Sequence, residues 1–514
     1  MNNIGEEMKK NKMKWLGSLA LAATLSLGFS LPQNTEAANT YPTRTVSVID
    51  FGAKPNDNAL DTSAIQSAIN DVSSKGGGIV EIPSGTYEVA LNGGTAINMQ
   101  SNVHLKMADD TVVKLRPNSL GVHRMFLISG GDENVRISGG TIIGDRNSHT
   151  GTTGEWGHGI HLYGATKNVE VYGTTIKDFW GDGLAIENAE YSIPDGFYID
   201  RVTADNNRRQ GLSIIAGRNI KVTNSVFKNT NGTDPAAGID IEKDPPYDKA
   251  VENVEISNNL LEGNQGGGIE FAYSTSPTVI VKHNIIRNNQ EIGVYFGRSE
   301  NVTLEGNYIY NNGTNPNFNY NSGNGVWMNW SKNNKIIGNV IDGSHKNGIQ
   351  GLNGIDGNII EGNKITNSKG TAITTYGGYN MIIRNNHISG NANNSIVVSS
   401  GSATQSNNGS GTVYKEPAVT VGIINEETPP IEEPNPPVEE PTEPTPAPTN
   451  PEIEALKKQV EELKAENTQL KENVEKLETA NDLLENQNGQ LNSKVNAIKS
   501  AFNNFVQAMN NLLN

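Results

Sequence analysis

A short phrase recurs along the middle of the chain: a Gly, an apolar residue, any residue and a second apolar residue. It occupies residues 159–162, 183–186, 211–214, 238–241, 268–271, 293–296, 325–328 and 348–351, at intervals of 23 to 32 residues. A second marker, an Asn with Ile or Leu two residues later, recurs in step at Asn259, Asn284, Asn307, Asn339, Asn363 and Asn386. Two markers that share one period indicate a repeat protein built from similar coils.

Each coil alternates apolar and polar residues without helical periodicity, which predicts short strands joined by Asn and Gly turns. Strands that repeat at this period describe a parallel β-helix, in which apolar residues stack from coil to coil and the turn Asn residues can form a ladder. The phrase of leucine-rich repeats and the longer blades of propellers are absent. Helical periodicity within this body is confined to residues 61–72, which we expect to form a helix that caps the first coils.

Four stretches before the first coils are distinctive: 50–53 (DFGA), 61–69 (DTSAIQSAI), 76–78 (GGG) and 82–87 (IPSGTY). Together they resemble the N-terminal segment of the pectate-lyase superfamily, which includes pectate lyase 3 and the rhamnogalacturonase- and epimerase-like proteins. The resemblance covers residues 45–415 and implies an all-β, right-handed, single-stranded parallel β-helix with an N-terminal capping helix. It also implies that polysaccharide is bound or cleaved in the cleft beside one long parallel sheet.

The catalytic motifs of two subfamilies are missing. No Asp-Pro-His-Glu run of the mannuronan epimerases occurs, and Gly157-His158-Gly159 matches a single fragment of the polygalacturonase set. No catalytic residue can therefore be carried over from either subfamily, and the candidates follow from strand geometry.

Within each Gly-apolar-x-apolar strand the apolar residues point into the core, and the residue between them points outward. Because coils lie ~4.8 Å apart, Asp240, Glu242 and Glu270 fall on one outward patch. Further candidates near this patch or at the beginning of the same strands are Glu187, Asp182, His158, Arg208 and Arg209. We expect a catalytic role for Asp240, Glu242, Glu270, His158 and Arg209, and a substrate-binding role for Asp182, Glu187 and Arg208.

Crowded carboxyls raise at least one pKa, which supplies an acid and a base in one place. The backbone spacing leaves open carboxyl separations of ~5–5.5 Å, for retaining hydrolysis, or ~6.5–9.5 Å, for inversion. The same carboxylates could instead hold Ca²⁺, and a uronate lyase could use Arg209 or His158 as its base. Tyr295 and Trp327 are outward aromatics suited to stacking on sugar rings. The alternatives are a merely solvated charged patch and a Trp327 that packs under residues 313–324.

The N-terminal segment, residues 1–37, has four Lys between positions 9 and 14, an apolar run over 15–31 and small residues at its end. This pattern predicts a secretory signal peptide that is cleaved near Ala37 or Ala38. The alternative is an uncleaved membrane anchor, although the run is short for a span. We expect a mature protein that is secreted or associated with the cell surface and has no membrane segment.

Two different segments follow the coils. Residues 426–451 are rich in Pro and Glu and predict an extended linker. Residues 453–512 carry nine heptads, with position a at Ile453, Val460, Asn467, Val474, Asn481, Asn488, Val495, Phe502 and Met509, and position d at Leu456, Leu463, Leu470, Leu477, Leu484, Leu491, Ile498, Phe505 and Leu512. β-Branched residues and Asn at a, with Leu at d, favour a parallel α-helical coiled-coil dimer. A single amphipathic helix packed against the body is the alternative.

Composition narrows the function. The net charge of −16 argues against nucleic acid as a partner, and the absence of Cys excludes a disulfide scaffold and a cysteine nucleophile. No cofactor is required by the sequence, and Ca²⁺ remains open. We therefore predict a polysaccharide-active enzyme that cleaves glycosidic bonds by hydrolysis or β-elimination. A non-catalytic glycan-binding surface protein, displayed on a coiled-coil stalk, is the rival interpretation.

Overall fold

The computed structural model describes residues 44–189, 192–243, 250–273, 278–315, 322–415 and 417. The signal segment 1–37, the linker 426–451 and the coiled coil 453–512 lie outside the described residues and stay predictions. Within the described residues, no helix is long and apolar enough to cross a membrane.

The described chain is a parallel β-helix of about 12 coils, as the sequence predicts. Its strands form three long parallel sheets, and each coil contributes one strand to each sheet. Sheet 1 consists of Thr45–Ser47, Gly78–Ile82, Val103–Met107, Glu133–Ser138, Lys167–Tyr172, Asp195–Asp200, Gly217–Thr223, Val251–Ser257, Val279–Lys282, Val302–Glu305, Lys335–Ile337, Ile359–Glu361, Met381–Arg384 and Ala403–Ser406. Sheet 2 consists of Gly85–Val89, Thr111–Leu115, Thr141–Ile143, Thr175–Lys177, Thr203–Asp205, Val226–Lys228, Leu260–Glu262, Ile285–Arg287, Tyr308–Tyr310, Val340–Asp342, Lys364–Thr366 and His387–Ser389. Sheet 3 consists of Thr95–Asn98, Val122–Ser129, Trp156–Tyr163, Leu184–Glu187, Leu212–Ile214, Ile239–Glu242, Gly267–Ala272, Ile292–Gly297, Val326–Asn329, Ile349–Leu352, Thr371–Tyr376 and Asn393–Ser399.

One α-helix, Thr62–Ser74, precedes the coils, together with the 3₁₀ turn Val48–Phe51; a second 3₁₀ turn spans Arg146–Ser148. The helix buries Ile65, Ala68, Ile69 and Val72, the apolar face that the sequence indicates. Asp61 occupies the N-cap but makes no side-chain cap hydrogen bond, and its carboxylate accepts from the backbone N–H groups of Lys54 and Glu88 instead. The helix start is therefore tied to neighbouring strands rather than capped locally.

The Gly-apolar-x-apolar phrase lies in sheet 3 and stacks in strict register. Ile160, Leu184, Leu212 and Ile239 are successive Cα partners, and all four are fully buried. The core is thus a set of apolar columns that run through the coils. Because strand side chains alternate, the residue between two core residues lies on the outer face of sheet 3.

A ladder of Asn side chains closes the turns between sheets 1 and 2, at the positions of the second marker. Each carboxamide donates to the oxygen of the next coil's Asn at 2.9 to 3.0 Å, along Asn259, Asn284, Asn307, Asn339, Asn363, Asn386 and Asn408. The first six of these residues are fully buried. The sequence did not reveal a second ladder, formed by Asn264, Asn289 and Asn312 before sheet 3.

We predict that Asn307→Ala lowers the free energy of unfolding by roughly 3 kcal/mol or more, because several buried partners lose their hydrogen bonds at roughly 1–3 kcal/mol each. Asn307 donates to Val281 O at 3.0 Å and accepts from both the backbone and the side chain of Asn284 at 2.9 Å. Urea-induced unfolding measures the change. Glu305→Ala, an exposed site in the same coil, is the control and should change stability by less than about 0.5 kcal/mol. Equal effects of the two variants would contradict a structural role for the ladder.

Candidate active site

The outward column that the sequence predicts exists in sheet 3. Consecutive Cα partners are His161, Ala185, Ser213, Asp240, Glu270, Tyr295, Trp327, Gln350 and Thr374. The second column, two residues further along each strand, contains Glu187 and Glu242. Asp182 and His158 each immediately precede the Gly of the phrase. The register therefore brings the predicted carboxylates to one region of one sheet.

These outward side chains are buried, which the strand pattern does not predict. Asp182 is 0% exposed, and Asp240 and His158 are each 2% exposed, whereas Glu242 and Glu270 are half-buried. The expectation of a solvent-facing patch is therefore wrong for Asp240. The side chains of neighbouring coils, among them Gln210 and Ser213, fill the space around them.

Asp182 lies at the centre of a polar network. Its Oδ2 accepts hydrogen bonds from Ser213 Oγ at 2.9 Å and Arg209 Nη1 at 3.3 Å, and His158 Nδ1 lies 3.4 Å away. Its Oδ1 has no hydrogen-bond partner among the described residues. Burial raises the pKa of Asp182 to about 6, against the opposing effects of Arg209 and Ser213. This carboxyl is therefore mostly ionised at pH 7 and has an oxygen that is not committed to the protein.

Asp240 and Glu270 stand on adjacent coils beyond Ser213. Asp240 Oδ2 accepts a hydrogen bond from Gln210 Nε2 at 2.8 Å. Burial, followed by the charge of Glu242, raises the pKa of Asp240 to about 8. Burial and the neighbouring Asp240 raise the pKa of Glu270 well above its ordinary value. Asp240 is therefore mostly protonated at pH 7, unlike Asp182.

Glu187 reaches back across the small side chain of Ala185 to two histidines. Its Oε2 lies 3.2 Å from His161 Nε2, and its Oε1 lies 3.7 Å from His158 Nε2. Burial raises the pKa of Glu187, but His161, Arg124 and Arg209 together lower it by more, so the net shift is downward. Burial and the charge of His161 hold the pKa of His158 well below its usual range. His158 is thus a neutral ring that supports the network.

The two adjacent arginines have different environments. Arg209 contacts Asp182 and lies 3.7 Å from Glu155, so it joins the carboxylates as predicted. Arg208 instead lies with its guanidinium 3.9 Å from the centre of the Trp180 ring and donates to Gly154 O at 3.1 Å. Among the described residues, no carboxylate forms a salt bridge with Arg208 to support it as a member of the same site.

Tyr295 and Trp327 follow Glu270 in the outward column. Their rings stack with centroids 4.5 Å apart and an interplanar angle of 27°. A Cβ at Gly297 would lie 2.7 Å from the Tyr295 hydroxyl, so Gly297 provides the space in which that ring lies along the sheet. Both aromatic residues are half-buried, and they continue the line of the carboxylates along sheet 3.

Sequence reasoning missed several members of the network. His161 and Ser213 belong to the outward column, but no crowding of charged residues in the sequence pattern marked them as candidates. Gln210 precedes the Gly of its phrase just as Asp182 and His158 do, so that position was a usable signal. Arg124, which donates to His161 Nδ1 at 3.0 Å, gave no signal of its own.

A second buried cluster supports the beginning of the strand Trp156–Tyr163. His149 Nδ1 lies 2.8 Å from Asp145 Oδ2, and His123 Nε2 lies 3.5 Å from Asp145 Oδ1. Gly157 is the register partner of His123, and a Cβ at Gly157 would lie 2.4 Å from the His123 ring. The cluster therefore packs closely behind the strand that carries His158.

The donors of this network bear on Ca²⁺ binding, which the sequence leaves open. Across the described ranges, no group of three or more His, Asp or Glu side chains is arranged to hold a metal ion. The network is instead held together by hydrogen bonds and by the Arg209 guanidinium.

Comparison with known families agrees with the fold. The profile described as "Rhamnogalacturonase A/epimerase, pectate lyase-like" matches residues 45–316, and the profile described as "Right handed beta helix region" matches residues 314–426. The first profile spans more than half of the chain, including every candidate site residue except Trp327.

Individual relatives cover only parts of the chain. The uncharacterized protein YclG of Bacillus subtilis is 30% identical over 294 residues, which are 48% of this chain and 49% of YclG. Mannuronan C5-epimerase AlgE1 of Azotobacter vinelandii is 28% identical over 257 residues, or 43% of this chain and 18% of that protein. The chain thus spans about half of YclG and less of AlgE1. The catalytic unit of a GH87 alpha-1,3-glucanase from Streptomyces thermodiastaticus shares the fold, with a TM-score of 0.52, 18% identity and coverage of 74% of this chain and 71% of that one.

We predict that Asp240→Asn stabilises the protein at pH 8 and does so much less at pH 5. The pKa of Asp240 is raised in the folded state, so its contribution to stability is largest at low pH and is lost as pH rises from the unfolded pKa towards about 8. Asn carries no proton to lose and still accepts from Gln210. Melting temperatures at the two pH values measure the difference, and the exposed Asp109→Asn is the control. A stabilisation that is independent of pH would contradict the raised pKa.

Proposed function

The chain belongs to the pectate-lyase-like rhamnogalacturonase A/epimerase family, and on that basis we propose that it is a secreted enzyme that hydrolyses glycosidic bonds of an anionic polysaccharide. The polysaccharide lies along the outer face of sheet 3. The observation that carries the proposal is that Asp182 and Asp240 lie in one sheet with a single coil between theirs, and that burial raises their pKa values to about 6 and about 8.

Hydrolysis needs one carboxylic acid and one carboxylate on the two sides of the scissile bond. We assign Asp240 as the general acid, because a pKa of about 8 keeps it protonated at neutral pH. Asp182 is the general base, because a pKa of about 6 leaves it ionised there, and its Oδ1 is uncommitted. Asp240 protonates the glycosidic oxygen as the bond breaks, and Asp182 takes a proton from the attacking water.

The arrangement of the two carboxyls favours inversion. Asp182 and Asp240 belong to coils separated by one intervening coil, and Asp182 lies three residues before Ala185, the member of its coil in the column of Asp240. The Asp182 side chain extends towards that column, because it accepts a hydrogen bond from Ser213, the register partner of Asp240. Ser213 thus intervenes between the two carboxyls, which suits the separation of roughly 6.5–9.5 Å of inverting enzymes better than the ~5–5.5 Å of retaining enzymes. Ser213 and Gln210, from the intervening coil, hold one oxygen of each carboxyl.

The remaining residues suit binding of an anionic sugar. Arg209 supplies a positive charge beside Asp182, and the half-buried rings of Tyr295 and Trp327 offer apolar faces to sugar rings. Glu270, half-buried beside Asp240, offers a carboxyl group that can hydrogen-bond a sugar hydroxyl. Glu187, Glu242 and His158 act on the electrostatics of the acid and the base rather than on the substrate.

The test is a screen of the purified protein on acidic and neutral polysaccharides, including polygalacturonate, alginate and dextran. Hydrolysis gives new reducing ends without absorbance from an unsaturated uronate, and the rate should not depend on a chelator. Unsaturated product with chelator sensitivity would replace hydrolysis by Ca²⁺-assisted β-elimination. Binding without any cleavage would favour the glycan-binding surface protein.

We predict that kcat/KM follows a bell-shaped pH profile with limbs near 6 and 8. Activity falls below the acidic limb as Asp182 is protonated, and above the alkaline limb as Asp240 loses its proton. Asp182→Asn and Asp240→Asn should each reduce kcat by about 10²-fold or more. The exposed Asp109→Asn should leave the rate unchanged. Wild-type turnover in both site variants would place the chemistry elsewhere.

A further inference from the structure

The turn that follows sheet 3 requires a left-handed backbone in most coils. At the position after the second outward column, φ is positive at Gly164, Asn353, Gly377 and Ser400. Gly and Asn are the residues that adopt this conformation most readily. Gly or Asn at this position therefore allows the turn to form without backbone strain.

In three consecutive coils, a bulky residue takes the place of Gly or Asn at this position. Tyr273, Arg298 and Trp330 occupy the position with φ of 55°, 53° and 55°. A bulky side chain in this conformation is strained, and such strain is concentrated at functional sites. We call these three residues the rim residues. They lie in the coils of Glu270, Tyr295 and Trp327, directly beside the outward column.

The rim residues place a cation against an aromatic ring. The Arg298 guanidinium lies 4.9 Å from the centre of the Tyr273 ring and donates to the Tyr273 hydroxyl at 2.8 Å. Within the described part of the chain, no carboxylate forms a salt bridge with Arg298. The positive charge is therefore oriented but not neutralised by a described residue.

The two aromatic rim residues are exposed, with Tyr273 at 42% and Trp330 at 53% of their surface. The Trp330 ring rests over the turn of the next coil, where a Cβ at Gly354 would lie 2.7 Å from its Cε3 atom. Gly354 thus provides the space that fixes the ring. Trp330 directly follows the strand Val326–Asn329, so the exposed indole lies at the end of the strand that carries Trp327, whose ring stacks on Tyr295.

We propose that the rim residues form a subsite for a sugar that bears a carboxylate, on the side of the carboxyl cluster towards the C-terminal coils. This rests on the proposed function, because the same polysaccharide would run from Asp240 over Tyr295 to the rim. Arg298 binds the sugar carboxylate through charge-assisted hydrogen bonds, and Tyr273 and Trp330 pack on the apolar faces of the sugar rings. The subsite spans three coils, roughly 10 Å between the first and the last, and determines which polysaccharide is accepted.

The test measures binding separately from cleavage. In the Asp240→Asn background, the dissociation constants for polygalacturonate and for dextran are determined by isothermal titration calorimetry. Arg298→Asn and Trp330→Asn are then added singly, since Asn suits the left-handed turn, as Asn353 does in the next coil. We expect Arg298→Asn to weaken polygalacturonate binding about tenfold, and Trp330→Asn to weaken it by a similar factor. Neither variant should lower the melting temperature, because Asn relieves the strain.

Arg201→Asn is the matched control. Arg201 also has a positive φ of 53° and lies over a tyrosine ring, that of Tyr172, but it follows a strand of sheet 1 and is near Asp200. It should leave polygalacturonate affinity within about twofold of the parent. Equal affinity for polygalacturonate in all variants would overturn the inference. So would an Asp240→Asn parent that binds dextran as tightly as polygalacturonate, or one that binds neither polysaccharide.

These outcomes are distinct from failure of the proposed function. If the wild type cleaves a polysaccharide while the rim variants bind it unchanged, the rim inference fails and the enzyme assignment stands. If polygalacturonate binds through Arg298 and no substrate is cleaved, the subsite stands and the assignment of Asp182 and Asp240 fails. A melting temperature that falls in parallel with affinity would indicate a structural role for the rim residues and would also overturn the inference.

Discussion

The parallel register between coils is the constraint on which the rest of the structure depends. Every strand pairs in parallel with the equivalent strand of the next coil. Each residue therefore lies roughly 4.8 Å from the residue at the equivalent position of the next coil. Apolar residues then form continuous core columns, and buried Asn residues such as Asn284 and Asn307 satisfy one another along the turns. A substitution in one coil is consequently felt by the coils on both sides of it.

The same register creates the site and its strain. Asp182, Asp240 and Glu270 come together because their coils are adjacent or nearly so, and the fold cannot separate them without breaking the ladders. Small neighbours such as Ala185 and Ser213 leave room for longer side chains to fold inward over the sheet. Burial then raises the pKa of each of the three carboxyls. The free energy gained when the coils stack offsets the cost of burying these titratable groups.

Repetition explains how much the sequence could predict. The phrase around Ile160 and Leu184 specified sheet, face and register, and the structure confirms the outward column that it implies. Burial of Asp240 was not predictable, because it depends on how side chains such as Gln210 lie across coils, and a strand pattern carries no such information. Arg208 and Arg209 show the same limit, since adjacent residues diverged towards Trp180 and Asp182. The turn residues Tyr273 and Trp330 were overlooked because they interrupt a pattern rather than form one.

Asp182 and Asp240, as the proposed base and acid, share the influence of one cation, Arg209. Arg209 lowers the pKa of both groups, so replacing it with an uncharged residue should raise both. The most direct measurement is the pH profile of kcat/KM for Arg209→Gln beside that of Arg209→Lys, which keeps the charge. We expect both limbs to move to higher pH in the Gln variant and to stay near the wild-type positions in the Lys variant. Limbs that do not move in the Gln variant would contradict the assignment of both carboxyls.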